Sequence, residues 1–222
     1  MKLSKETIKV LQNFHTINTA IILREGNVIM TQKNDVIVAR AEVPDTFPRT
    51  IPIIDLSKFL ALLSLGKEDA DADFGDDCIT ITQGGYTVKY AYAPENLIVA
   101  PPAGQNIKLP SKDVQFTLNE ETWQQVSKAM QIMSFSEFAF VGEDGKLSIQ
   151  ALSMKIQNGG SDTYSAHIGD TDKEFRCVLS AANMKLIPGD YDVTISKSGL
   201  VNFKGEVAEY WITMSTKSQF DD

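Results

Sequence analysis

Between Ser4 and Phe14 the apolar positions Ile8, Leu11 and Phe14, with Val10 beside them, recur at helical spacing. Lys5, Lys9, Gln12 and Thr16 fall on the opposite side of the same helix. Ser4 stands at the N-cap position and Glu6 in the first turn. A second helix of this kind opens at Asn119, with Glu120 and Glu121 in its first turn. Its apolar face is Trp123, Val126 and Met130, and its polar face Gln124, Gln125, Lys128 and Gln131. Strand-like runs follow each helix: Ala20–Leu23, Asn27–Thr31 and Val36–Glu42 after the first, Glu137–Val141, Lys146–Leu152 and Thr163–Ile168 after the second. Arg24–Asn27 and Gly142–Gly145 read as hairpin turns.

The pattern then recurs. Ile53–Phe59 and Val178–Met184 each read as a strand ending at an N-cap, Asp55 or Ser180, where a short helix begins. Strands Cys78–Thr82 and Tyr86–Tyr92 follow the first, and Tyr191–Ser196, Leu200–Phe203 and Val207–Met214 the second. A β-α-βββ unit thus occurs four times, twice in each half. Pro94, Pro101, Pro102 and Pro110, with Gly104 among them, mark an extended connector between the halves. The expected organisation is an N-terminal domain at 1–93, a connector at 94–112 and a C-terminal domain at 113–222.

Composition refines this. The chain has 222 residues, 43% of them apolar, enough for one large core or two smaller ones. Its longest apolar run, Phe59–Leu65, falls far short of the roughly 20 residues of a membrane span. Met1–Glu6 carries no apolar signal-peptide core, so a cytoplasmic chain without membrane attachment is expected. Cys78 and Cys177 lack CxxC spacing and read as reduced core thiols.

With 21 Lys and Arg against 29 Asp and Glu, the net charge of −8 argues against nucleic acid on a simple reading. The distribution changes that. Lys5, Lys9, Lys58, Lys128 and Lys185 all fall on the four expected helices, whose acids are confined to first turns and caps. On any single helix this is an ordinary solvated face; the bias repeated on four is what points to a polyanion. The acids gather instead at Glu68, Asp69, Asp71, Asp73, Asp76 and Asp77. That run mimics the start of a calcium loop, but Phe74 and Thr80 stand where such a loop needs Gly and Glu, so a solvated acidic hairpin is expected.

Catalytic signatures are missing. The chain has no GxxxxGK[ST], GxGxxG or GxSxG motif, and His15 and His167 have no zinc spacing. His15 reads as a helix cap and Cys177 as inert packing. No cofactor or metal is expected, and the chain is read as a non-enzyme.

Met1–Thr7 with Asn13–Asn18, Ile54–Leu60, Val99–Pro101, Ala182–Lys185, Pro188–Tyr191 and Phe203–Glu206 with Tyr210 resemble the sliding clamp of T-even-type bacteriophages, the DNA polymerase processivity factor. The resemblance spans the chain and is weakest in the acidic run and at Gln157–Thr163. It implies an α+β DNA-clamp fold: two similar duplicated β-α-βββ domains per chain, and a closed ring of three subunits with helices lining the hole. It further implies a homotrimer that holds double-stranded DNA topologically, with Lys5, Lys9, Lys58, Lys128 and Lys185 facing the duplex. The implied partners are the C-terminal tail of the phage DNA polymerase, an ATP-driven clamp loader, and a late-transcription sigma-like factor with its coactivator, in the cytoplasm of the infected bacterial host. The tail would sit in a pocket of Met30, Leu97, Ile98, Val99, Ile212 and Met214, although Leu97–Val99 also read as residues that merely cover a sheet. Subunits would join through Tyr86, Val88, Tyr90 and Tyr92 on one side and Thr163, Tyr164, Ala166 and Ile168 on the other. The competing readings are a β-rich structural protein of a virion or cell surface and a cytoplasmic hydrolase of no recognised family.

Overall fold

The computed structural model describes residues 1–64, 71–83, 85–152 and 162–221. Glu68 and Asp69 of the acidic run, and residues 157–161 of the Gln157–Thr163 segment, lie outside them. The chain divides into two compact units, Met1–Asn106 and Ile107–Asp222.

The first unit opens with α1 (Lys5–Ile17), because Ser4 accepts a hydrogen bond from the Thr7 amide at 3.2 Å. Asp45 reinforces this cap by accepting from the Ser4 amide at 2.8 Å, the Ser4 hydroxyl at 2.7 Å and the Thr7 hydroxyl at 2.5 Å. The buried stripe is Thr7, Val10, Leu11, Phe14 and Ile17; Ile8, expected there, is only half-buried. Asn18 closes the helix by donating its amide to Phe14, so His15 is not the cap.

β1 (Ile21–Leu23), β2 (Gly26–Lys33), β3 (Ile37–Phe47) and β4 (Ile51–Ile53) follow. The expected hairpin at Arg24–Asn27 does not join β1 to β2 as ladder partners. β1 pairs with β4 (Ile21↔Ile53) and β2 with β3 (Ile29↔Ala41). The reason lies in β1 itself: all three residues are buried, so it needs cover on both faces and cannot be half of an exposed ribbon. α2 (Leu56–Ser64) begins where Asp55 accepts from the Lys58 amide at 2.8 Å. β5 (Asp71–Phe74), β6 (Cys78–Gln83) and β7 (Tyr86–Ala91) form a three-stranded antiparallel sheet in that order. β5 turns Asp71 and Asp73 outward and Ala72 and Phe74 inward. The connector is extended except for a 3₁₀ turn at Glu95–Leu97 and a turn at Ala103–Gly104, where the Gln105 amide donates to the Pro102 carbonyl at 3.2 Å.

The second unit repeats the plan. β8 (Val114–Leu118) precedes α3 (Glu120–Ile132), capped by Asn119, which accepts from the Thr122 amide at 2.8 Å. β9 (Glu137–Glu143) and β10 (Lys146–Leu152) form the expected hairpin through Asp144 and Gly145, whose φ of 51° and 77° match a type I′ turn. β11 (Thr163–Asp170) and β12 (Phe175–Ser180) complete that sheet, and β13 (Tyr191–Ser196), β14 (Leu200–Lys204) and β15 (Ala208–Thr213) pair antiparallel alongside β8. β16 (Gln219–Phe220) adds a short edge beside β12, giving the order β11-β10-β9-β12-β16. The strand after α3 pairs with β12, as the strand after α1 pairs with β4, so the duplication is visible in the pairing. Phe138, Phe140, Phe203 and Tyr210 are wholly or almost wholly buried at the centre of this unit.

Candidate functional site

The burial of one helix face decides what the other face shows. In α1, packing of Val10, Leu11 and Phe14 leaves Lys5, Lys9, Gln12 and Thr16 exposed. In α2, Leu56 and Phe59 are buried and Ser57, Lys58, Ala61 and Ser64 are exposed. In α3, Val126 and Met130 are buried and Gln124, Gln125, Lys128 and Gln131 are exposed. Glu6, Glu120 and Glu121 occupy first turns, where the helix dipole favours them, and Gln124 donates to Glu120 at 2.7 Å. α1 and α2 pack as neighbours, and the Leu56 amide donates to the Thr19 carbonyl at 2.8 Å, so Lys5, Lys9 and Lys58 belong to one helical layer.

The fourth expected helix is absent as such. After β12 only Ala181–Asn183 turns, as a single 3₁₀ turn, and Ser180 makes no side-chain cap. Lys185 is exposed, but on the non-helical stretch beyond it. The physical cause is two tyrosines. The Tyr191 hydroxyl donates to the Ile187 carbonyl at 2.6 Å, and the Ile187 amide donates to the Tyr210 hydroxyl at 3.1 Å. Both backbone groups of Ile187 are thus taken from outside, and Pro188 follows directly. Burial pushes the Tyr210 phenol up to about 12, so its hydroxyl stays neutral and available as a hydrogen-bonding group. Leu186–Gly189 lie along α3 and bound an open groove of about 260 Å³, with Trp123, Gln124, Ser127, Lys128 and Gln131 on its other wall. Trp123, read as core, is half-exposed there.

The residues expected at subunit edges lie on β7, with Tyr92 just past its end, and on β11. These are end strands of their sheets. β5, at the opposite side of its sheet, is occupied at Ala72: the Met1 amine donates to the Ala72 carbonyl at 2.6 Å, and the Ala72 amide donates to the Met1 carbonyl at 3.0 Å. On the other sheet β16 has two residues only. Tyr86 is 80% exposed and Val88, Tyr92, Tyr164, Ala166 and Ile168 are half-buried, while Thr163 is exposed. Tyr90 differs from these. It is buried, its ring meets Phe59 at 6.1 Å, and its hydroxyl donates to the Asp55 carbonyl at 3.1 Å, so its side chain serves its own unit.

The residues expected to hold a partner peptide separate into two groups. Leu97 and Val99 are 63% and 61% exposed, and Met30 and Met214 are half-buried. Ile98 and Ile212 are buried and offer no open apolar surface; Ile212 alternates into the core of its strand. Asn18 fixes the connector by donating to the Val99 carbonyl at 3.1 Å and the Gln32 carbonyl at 2.9 Å.

The hydroxyl–carboxylate clusters, Ser4–Thr7–Asp45 and Ser111–Asp113, contain no histidine and act as backbone caps. Burial pushes the Cys177 thiol up to about 12, which makes it packing and no nucleophile at neutral pH. Among the described residues no group of His, Cys, Asp or Glu could hold a metal ion, and no helix is long and apolar enough to cross a membrane.

Comparisons with known proteins agree with this geometry. Residues 4–84 match the family described as DNA polymerase processivity factor, and residues 115–216 that described as gp45 sliding clamp, C terminal. The sliding clamp of Enterobacteria phage T4 is 32% identical over 230 residues, covering 100% of both chains. That of Vibrio phage KVP40 is 30% identical over 219 residues, covering 96% of this chain and 98% of the relative. The solved structure of the C-terminal region of FEN-1 bound to A. fulgidus PCNA has the same fold, with a TM-score of 0.70 at 13% identity over 98% of each chain. Paired duplicated units, cation-bearing helices and relatives matched from end to end lead to one assignment: the chain belongs to the phage sliding-clamp family of DNA polymerase processivity factors.

Proposed function

We propose that three copies join head to tail into a closed ring around duplex DNA, tethering the phage replicative polymerase without catalysing a reaction. The observation that carries this reading is the placement of Lys5, Lys9, Lys58, Lys128 and Lys185. All five are exposed, and the helical polar faces that carry four of them keep their acids in the first turn. Such a surface attracts phosphates and reads no base, which is what a sliding contact requires. Ammonium groups on flexible stems suit moving contacts better than the fixed fork of arginine. The net charge of −8 leaves the rest of the surface unfavourable to DNA. The open edges β7 and β11 support the ring, because joining them satisfies the one open edge that each strand presents.

Leu97 and Val99 present the apolar surface on which the C-terminal tail of the polymerase docks. An ATP-driven loader opens and closes the ring, and a late-transcription sigma-like factor with its coactivator uses it as a platform, in the cytoplasm of the infected bacterium. The deciding experiment loads the protein on a nicked circle with its cognate loader and then linearises the DNA. A sliding ring is retained on the circle through moderate salt and lost on cutting. Protein that stays on the unblocked linear product would refute both the mechanism and the lysine assignment.

A further inference from the structure

The five-stranded sheet of the second unit is apolar on a face where strand alternation calls for polar groups. In β9, Phe138 and Phe140 point into the core, against Trp123 and Phe203, so Ala139 and Val141 point to the other side. Both are nonetheless buried, in a cluster with Val178 of β12. Long polar side chains stand round that cluster. The register sets Gln150 of β10 opposite Ala139 and Arg176 of β12 opposite Val141. The Arg176 guanidinium reaches across β9 and donates to Gln150 at 3.1 Å, and Lys217 pairs with Glu137 at 2.8 Å. These four side chains, with Ala139 and Val178, line a hollow of about 110 Å³, room for one aliphatic side chain. The two cations differ. Glu137 already answers Lys217, whereas the bond to Gln150 uses only one of the several donors of Arg176. Glu143, Glu174 and Asp221 border Arg176 elsewhere, but among the described residues none forms an ion pair with it.

We infer that this hollow docks an extended peptide of a protein partner, which lays an aliphatic side chain against Ala139 and Val178 and, from two residues along on the same face, a carboxylate on Arg176. Charge complementarity sets the occupant. Arg176 is half-buried and oriented by Gln150, and its planar fork suits a carboxylate better than an amide. The apolar wall beside it rewards an aliphatic neighbour. A cationic segment would meet repulsion there, and a wholly apolar one would leave the guanidinium unanswered. The site lies within the second unit, so it depends neither on the ring nor on the docking of the polymerase tail at Leu97 and Val99.

The test titrates acetyl-Leu-Ser-Asp-amide into the full-length protein and follows the isotope-labelled methyl groups of Ala139, Val141 and Val178 by NMR. Those methyls are expected to shift. Acetyl-Leu-Ser-Asn-amide, which keeps the shape and loses the charge, should bind about tenfold more weakly. Arg176→Gln should remove the difference between the two peptides. Ala139→Leu fills the hollow and should abolish the shifts with either. Because Arg176 stands at the rim, its variant decides the matter even where Ala139→Leu fails to fold. Acid and amide peptides that bind the wild type alike overturn the proposal, as do shifts confined to methyls elsewhere or no shift at the highest soluble peptide concentration. Free leucine bound as tightly as the acidic peptide would make this a small-molecule site and overturn the peptide assignment.

Discussion

Single residues decide which helix face is buried. Thr7 is fully buried in α1 because Asp45, thirty-eight positions away, accepts its hydroxyl proton. Without that partner a hydroxyl would be a poor core group. Burial pushes the Asp45 carboxyl up, but the hydrogen bonds from Thr7 and Ser4 outweigh it and hold the group below its ordinary 3.8. The folded state therefore binds its proton less readily than the unfolded chain. The stabilisation is full above the unfolded carboxyl's range, about pH 4, and is lost as pH falls through the lower folded value. Asp45→Asn should cost about 1–2 kcal/mol at pH 7. In urea melts across a pH series, the gap to wild type should close in acid; a gap that is constant with pH would contradict this account. The sequence shows Ser4 as a cap, but the periodicity around Ile8 does not reveal Thr7 as core, because what permits its burial is distant in the chain.

At the scale of elements, local signals carried far. The caps of α1, α2 and α3, the Asp144-Gly145 turn and most strands are legible because each depends on neighbouring residues. β8 alternates plainly, with Val114 and Leu118 inward and Gln115 and Thr117 outward, but a connector drawn through residue 112 and a helix cap at Asn119 obscure it. The fourth helix fails for a non-local reason. Ala181–Lys185 favours helix, yet a segment that short cannot repay nucleation once Ile187 is held by β13 and β15. Tyr191→Phe removes the donor to the buried Ile187 carbonyl and should cost about 1–3 kcal/mol in a urea melt. An unchanged midpoint would show that the clasp does not hold the segment. Lys185 consequently reaches the polar surface from a clasped loop, a placement that helical periodicity does not reveal.

For the whole molecule, the sequence conveyed the duplicated plan and the segregation of charge, whereas exposure at particular positions came only with packing. Ile98 and Ile212 look as apolar as Leu97 and Val99 in the chain, but only the latter two stay open after folding. Replacing Leu97 and Val99 by alanine should therefore weaken a polymerase-tail peptide at least about tenfold in a fluorescence titration, with the native mass of the assembly unchanged. Equal binding by variant and wild type would move the docking site elsewhere. The unlike character of β7 and β11 has a further consequence. In the proposed ring the two different edges join in one sense only, so every copy enters the assembly facing the same way. The proposed ring then has a front and a back, with Leu97 presented identically by each copy. Threaded on a duplex, such an object has a heading, and a polymerase leashed to it is held in one orientation along the template.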